Sequence, residues 1–325
     1  MFRRRTPVLL TAALLAAGLV GCSAAPPARP AAPSPTPAAS APGATPQASR
    51  IPAGTAPTRA FAVGVRELRL NRGGDRPLPV TLWYPARGTA DGAARRDATV
   101  AAGRFPVVAF SHGLDGRPAD YRALTTRWAA AGFVVAAPMF PHTGKGTDGS
   151  VLDVLNQPAD VSYVLDKVLA LDAAAGDPLR GRLATDRVAA AGHSAGGVTT
   201  IGLFTTGRDE RLRAGVVLAG TGLGVGTAFA GAAAPQLFVH GRADEVVDYA
   251  AGRAVYDAVP WPKAMLSLTR GDHGRALLGD DTALRVVSDT TIEFLRWTLY
   301  GDAAARDRLP ASAARGDIAT LDDRL

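Results

Sequence analysis

Residues 188–197 read VAAAGHSAGG. The run RVAAAG (187–192) has the small apolar character of a buried strand, and AGGVTTIGLFTT (195–206) carries apolar residues at helical spacing. Between them a single serine, Ser194, stands two residues after Gly192 and two before Gly196. This is the G-x-S-x-G pattern, in which a tight strand-to-helix turn pushes the serine oxygen into the open. Glycines are needed at those two places because side chains there would strike the neighbouring strand and helix. Ligands of an open α/β sheet bind beyond the carboxyl ends of its strands, and Ser194 lies at one such end.

Outward from this turn, strand-like and helix-like segments alternate. Upstream, FAVGVRELRL (61–70) and LPVTLWYPA (78–86) read as two strands joined by a turn, and FPVVAF (105–110) as a third. PADYRALTTRWAAAG (118–132) reads as a helix stopped by Gly132, FVVAAP (133–138) as a strand, and PADVSYVLDKVLALDAA (158–174) as a helix. Downstream come strands AGVVLAG (214–220) and QLFVHG (236–241), helix YAAGRAVYDAV (249–259), strand AMLSLT (264–269) and helix TALRVVSDTTIEFLRWTLYG (282–301). Apolar strands alternating with helices predict an α/β fold: a mostly parallel sheet of about eight strands, entered through an antiparallel edge, with helices on both faces.

A neutral serine hydroxyl is a poor nucleophile, so the motif calls for a histidine base and an acid to orient it, in the chain order Ser, Asp or Glu, His. Of five histidines, His112, His142, His193, His240 and His273, only the last two lie downstream of Ser194. His273, in TRGDHG after the last strand, is placed where a loop can swing an imidazole over the serine. His240 ends a strand and leads to Asp244, the first acid after the strand-end glycine, with Glu245 and Asp248 as neighbours able to replace it. The assignment is Ser194 as nucleophile, His273 as base and then acid, and Asp244 as the carboxylate that fixes the imidazole tautomer. His193 reads as packing behind the turn, His240 as shaping the acid loop and Asp272 as a turn residue. A tetrahedral intermediate needs backbone donors aimed at its oxyanion. Ala195, just after the serine, supplies one, and Leu114, in the turn FSHGLDG (110–116) after the third strand, supplies the other.

The chain begins MFRRRTPVLLTAALLAAGLVGC: a positive start, an apolar run of about a dozen residues and small residues at the end, the architecture of a secretory signal. Leu19-Val20-Gly21-Cys22 resembles the lipobox of bacterial lipoproteins, whose cysteine is acylated. Cys22 is the only cysteine, so no intramolecular disulfide can form. Residues 23 to about 59 are rich in Ala, Pro, Ser, Thr and Gly, a composition that cannot bury enough surface to offset its ordering entropy. The expected organisation is a signal peptide at 1–21, a lipidated cysteine and disordered tether at 22–59, a catalytic domain at 60–302 and a C-terminal extension at 303–325. The expected place is outside the cytoplasm, anchored by lipid to a bacterial cell membrane. The formal charge is +7, but Arg3, Arg4 and Arg5 belong to the leading segment and removing them leaves +4. The remaining arginines are interleaved with acids, with no basic run and no aromatic stacking motif, which argues against nucleic-acid binding.

With these residues placed, the chain resembles the α/β-hydrolases over essentially all of residues 61–300. LPVTLWYPA, FPVVAFSHGL, RWAAAGFVVAAP, QPADVSYVLDKV and GHSAGG are similar to the group holding plasma-type platelet-activating factor acetylhydrolases, dienelactone-hydrolase-like enzymes and bacterial cutinase-like polyester hydrolases. The resemblance implies a serine carboxylesterase without metal or other cofactor, acting through an acyl-enzyme on short acyl or soluble esters, and a monomer is expected. Its nucleophile, acid, base and oxyanion positions fall on Ser194, Asp244, His273, Leu114 and Ala195. Polyester-hydrolysing cutinases carry an aromatic residue at the position of Leu114 and a tryptophan in the loop after the strand that follows the serine-bearing helix. Here that loop, AGTGLGVGTAFAGAAAP (219–235), has only Phe229. Met139, Phe140 and Phe229 are the residues this reading offers for an acyl pocket. Two further readings stand beside it: a phospholipid or platelet-activating-factor-like acylhydrolase, which membrane anchoring would suit, and a catalytically inactive hydrolase fold serving as an envelope binding protein.

Overall fold

The computed structural model describes residues 51–147, 150–223, 228–274, 279, 281–314 and 316–325. Residues 1–21, Cys22 and the first part of the tether lie outside them.

The run that approaches Ser194 forms strand β6 (Leu183–His193), and the residues after the serine form helix α3 (Ala195–Gly202). On β6, Val188 and Ala190 pack into one apolar layer and Ala189 and Ala191 into the other, as the two-residue period of a strand buried on both faces requires. The same alternation holds in β4 (Phe105–Ser111), where Val107 and Ala109 face one layer and Val108 and Phe110 the opposite one.

Around this centre lie β1 (Ala62–Asn71), β2 (Pro77–Ala86), β3 (Ala94–Arg96), β5 (Val134–Pro138), β7 (Leu212–Leu218), β8 (Gln236–Gly241), β9 (Lys263–Leu268) and β10 (Ala319–Arg324). They join in one sheet in the order β10-β9-β8-β7-β6-β4-β5-β2-β1-β3. From β5 through β9 neighbours run parallel, while β2 meets β5, and β10 meets β9, in antiparallel register. The α/β-hydrolase-type architecture therefore stands as expected, with ten strands in place of about eight. The two unforeseen strands are β3, reading ARR, and β10, reading ATLDDR.

Helix α1 (Arg122–Ala130) packs on one face with α5 (Asp281–Leu295) and α6 (Ala303–Ala313); Leu124, Trp128, Phe294 and Leu309 share that layer. The other face is covered by α2 (Gln157–Ala170), α3 and α4 (Tyr249–Ala258), through Val161, Val164, Leu165, Val198 and Tyr256.

Both ends of the described chain depart from the expected boundaries. Residues 303–325 add a helix and an edge strand to the same unit, so they are part of its architecture rather than an appendage. At the front, the chain is already packed before residue 60: Ala56 is buried, its amide donates to Asp302 Oδ2 (3.3 Å), and Arg296 Nη2 donates to the Pro57 carbonyl (3.2 Å). Tyr300, next to this segment, donates its hydroxyl to the Gly132 carbonyl (2.5 Å), just ahead of β5. The chain thus enters the unit at the amino-terminal edge of the parallel strands, away from Ser194.

Candidate active site

The turn between β6 and α3 forces Ser194 to φ +56°, ψ −119°, a backbone conformation that few side-chain-bearing residues adopt. A Cβ on Gly192 would come within 2.1 Å of the Gly196 carbonyl oxygen, and one on Gly196 within 2.1 Å of the Ser111 carbonyl oxygen. The motif's glycines are therefore demanded by contact between backbones, which is why the spacing was legible before the structure.

Ser194, His273 and Asp244 come together. His273 Nε2 lies 2.8 Å from Ser194 Oγ and its Nδ1 lies 2.9 Å from Asp244 Oδ2. A carboxylate only accepts, so Nδ1 carries the hydrogen and Nε2 turns its lone pair to the serine hydroxyl. The other oxygen of Asp244, Oδ1, accepts from the amides of Val246 (2.9 Å) and Val247 (2.8 Å). Burial pushes the Asp244 carboxyl up, but the hydrogen bonds from His273, Val247 and Val246 and the charge of His273 outweigh it and hold the group below its ordinary range. Asp248 begins α4 as its cap, accepting from the Ala250 amide at 2.9 Å, and Glu245 is exposed at the rim of the cleft. Neither replaces Asp244.

His240 stays in the acid loop: its Nε2 is 2.9 Å from the Val247 carbonyl and 3.3 Å from Asp244 Oδ2, and burial lowers its basicity. Asp272 accepts from the Gly274 amide (3.2 Å), a turn contact. His193 does more than pack. Its ring leans on that of His273, with centroids 4.8 Å apart, while its Nε2 bonds to the His273 carbonyl (2.6 Å) and its Nδ1 to Tyr121 Oη (2.8 Å).

A cleft of about 680 Å³ opens over the serine, walled by Gly113, Leu114, Tyr121, His193, Val246 and His273 together with Asp115, Asp120, Glu245 and Asp272. Leu114 and Val246 are exposed at its mouth, at 50% and 72%. The Ala195 amide is the first of α3 and has no intrahelical acceptor. Leu114 lies in the loop after β4 and lines the cleft, as Ser194 does; Ala195, the residue after the serine, is buried and is not part of the wall. Among the described residues, no group of three or more His, Cys, Asp or Glu side chains gathers as a metal site would.

The expected pocket residues are not in this wall. Phe140 is fully buried against His112, with ring centroids 5.1 Å apart. Phe229 packs on Trp261 at 5.6 Å, and Trp261 sits just before β9, at the amino-terminal edge of the sheet and so on the far side from Ser194. Met139 is half-buried, its methyl group lying over Gly144. Their apolar character suited a pocket, but Phe140 is used in the core and Phe229 packs against its edge. The residues that reasoning from sequence passed over are Tyr121, which falls in the segment read as a helix, and Val246, two residues after Asp244. Only the fold reveals that both face the serine.

The sequence pattern of one protein family, described as PETase, PET hydrolase-like, matches residues 86–308. No curated protein matches the chain.

Proposed function

The chain belongs to the PET hydrolase-like family and is a hydrolase acting on ester bonds; from that premise we propose that it is an extracytoplasmic serine carboxylesterase for small esters, working through Ser194, His273 and Asp244. The observation that carries this reading is the unbroken hydrogen-bond line from Asp244 Oδ2 through His273 to Ser194 Oγ.

In this reading His273 Nε2 removes the serine proton as Oγ attacks the ester carbonyl carbon. The carbonyl oxygen becomes an oxyanion held by the amides of Leu114 and Ala195, while Asp244 steadies the imidazolium. Collapse of the intermediate breaks the carbon–oxygen bond to the alcohol, which leaves with the proton from His273, and the acyl group stays on Ser194. A water molecule, deprotonated by His273, then attacks the acyl-enzyme; the acid departs and Oγ recovers its proton. An inactive binding protein has no need of this alignment, which weighs against that alternative.

The substrate class rests on the cleft. Its volume suits one small ligand. Among its described lining residues the only phenyl-type ring is Tyr121, which is 3% exposed and tied by its hydroxyl, so the described wall offers no free aromatic face for the rings of a polyester. This supports short soluble esters over polymer. Exposed Leu114 and Val246 at the mouth favour a second reading, an acylhydrolase of lipid esters. In this proposal residues 1–21 act as a secretory signal and Cys22 is acylated, so that either enzyme works outside the cytoplasm; the basic start, apolar run and LVGC ending of that segment support it.

A short-chain nitrophenyl ester, offered with and without phospholipid vesicles as competing substrate, tests the reading. Wild type should turn over the soluble ester, and Ser194→Ala should lose on the order of a millionfold in kcat with its melting temperature nearly unchanged. A fluorophosphonate should label wild type at Ser194 alone; labelling of another serine overturns the assignment. Preference for the vesicles would favour the lipid reading.

A further inference from the structure

We propose that Tyr121 and His193 form a one-way chain of hydrogen bonds that ties the oxyanion-side loop to the loop bearing His273, making them positioning residues for hydrolysis at Ser194. The inference rests on the ester-hydrolase reading above and extends it to two groups that touch no reacting atom.

The direction of the chain follows from which atoms are able to donate. The His273 carbonyl only accepts, so His193 Nε2, 2.6 Å away, carries a hydrogen and donates it. In a neutral ring that leaves Nδ1 as an acceptor, and it takes the hydroxyl hydrogen of Tyr121 at 2.8 Å. The Tyr121 oxygen, having donated, accepts the amide of Gly113 at 3.0 Å. Gly113 N–H, Tyr121 O–H and His193 Nε2–H therefore point the same way along one line, each donor matched to one acceptor. Burial keeps both side chains in the needed form, with the His193 ring pushed down to about 4 and the Tyr121 hydroxyl up to about 12. At 3% and 5% exposure neither finds water as a substitute partner, so a broken link leaves a buried polar group unmatched.

The two ends of the chain are the parts that must be placed against each other. At one end, Gly113 is pinned a second time. The Phe140 amide donates to His112 Nε2 (3.0 Å), so His112 Nδ1 carries the hydrogen and donates to the Gly113 carbonyl (2.7 Å). That carbonyl shares a planar peptide with the Leu114 amide, so fixing one direction fixes the other. At the other end, the His273 carbonyl holds the backbone of the residue whose ring Asp244 holds. Ser194 sits between the two, one residue from His193. Donor, nucleophile and base come from three distant segments, and this line of bonds sets their spacing.

The test measures kcat and KM on a short-chain nitrophenyl ester for Tyr121→Phe, His193→Gln, His193→Leu and the Tyr121→Phe/His193→Gln double variant, with exchange of the Gly113 amide hydrogen read by NMR. Tyr121→Phe should lower kcat about tenfold, the size of one lost neutral hydrogen bond, while KM moves less than about twofold, and Gly113 should exchange faster. His193→Gln retains an N–H for the His273 carbonyl and should keep more turnover than His193→Leu. The double variant should lose less than the product of its single losses, because both break the same link. Wild-type kcat and unaltered exchange in Tyr121→Phe, or multiplicative losses in the double variant, overturn the proposal; should His193→Leu fail to fold, those two readings still decide. Faster Gly113 exchange in Tyr121→Phe beside a wild type without ester turnover would sink the esterase reading and leave the chain standing.

Discussion

Asp244 satisfies two demands with two oxygens: Oδ2 meets the imidazole of His273, and Oδ1 is fixed by two amides of its own loop. Asp244→Asn would place a carboxamide where only acceptors are wanted and turn the imidazole to the wrong tautomer, so turnover should fall about ten-thousand-fold with little change in KM. Glu245→Gln and Asp248→Asn should stay near wild type, since one side chain lies at the rim and asparagine still caps α4. Stopped assays on purified, folded proteins check the series, and an equal loss in either neighbour would displace Asp244 from its role. The meeting of Ser194 with His273 was legible because chemistry narrows the type and order of such residues so sharply: one G-x-S-x-G after a strand, and one histidine shortly after β9. Phe140 and Phe229 were misplaced because nothing local distinguishes an aromatic ring that lines a cleft from one that fills a core. That choice is made by His112 and Trp261, distant in sequence from the rings they hold.

The buried strands were readable as unbroken apolar runs, whereas the edge strands were not. β3 is three residues long, and β10 carries Asp322, Asp323 and Arg324, so neither shows the apolar alternation of a strand with a covered face. β10 is held instead by its ladder to β9 and by ion pairs, Arg253 to Asp322 (2.9 Å) and Arg306 to Asp323 (2.9 Å). It is a charged cap on an otherwise open edge. Deleting residues 316–325 should therefore lower the melting temperature and promote association through β9. Turnover per fluorophosphonate-labelled serine should stay near the full-length value, since no residue of β10 lines the cleft. Calorimetry and size-exclusion chromatography check this; a truncated chain that melts and elutes like the whole would show the strand to be dispensable.

At the scale of the whole molecule, three buried histidines set the response to acid. Burial lowers His193 from its ordinary 6.5 to about 4, against the opposing pull of its bond to the His273 carbonyl and of the Asp244 charge, and it also lowers His112 and His240. The unfolded chain takes up a proton that the fold refuses, so stability is intact above about pH 6.5 and drains as pH falls towards 4, by on the order of 3 kcal/mol for His193. Asp244, held below its ordinary range, loses its contribution in the same direction at lower pH. Melting temperatures from pH 7 to 4 should fall, and the slope should flatten in His193→Gln; a constant value would contradict neutral histidines. Cys22→Ser should move the protein from the detergent phase to the aqueous phase, and unchanged partitioning would remove the anchor from the proposal. The order of the eight expected strands and of the helices among them, and the meeting of Ser194, Asp244 and His273, were written in residues 61–300, but the packing of Ala56 and Pro57 was not, because it depends on Asp302 and Arg296 meeting a segment some 240 residues earlier. That meeting point gives the molecule a front and a back. Ala56 and Pro57 are fastened at the amino-terminal edge of the parallel strands, and the cleft over Ser194 opens from the carboxyl-terminal edge, so a substrate entering the cleft does not pass the fastening.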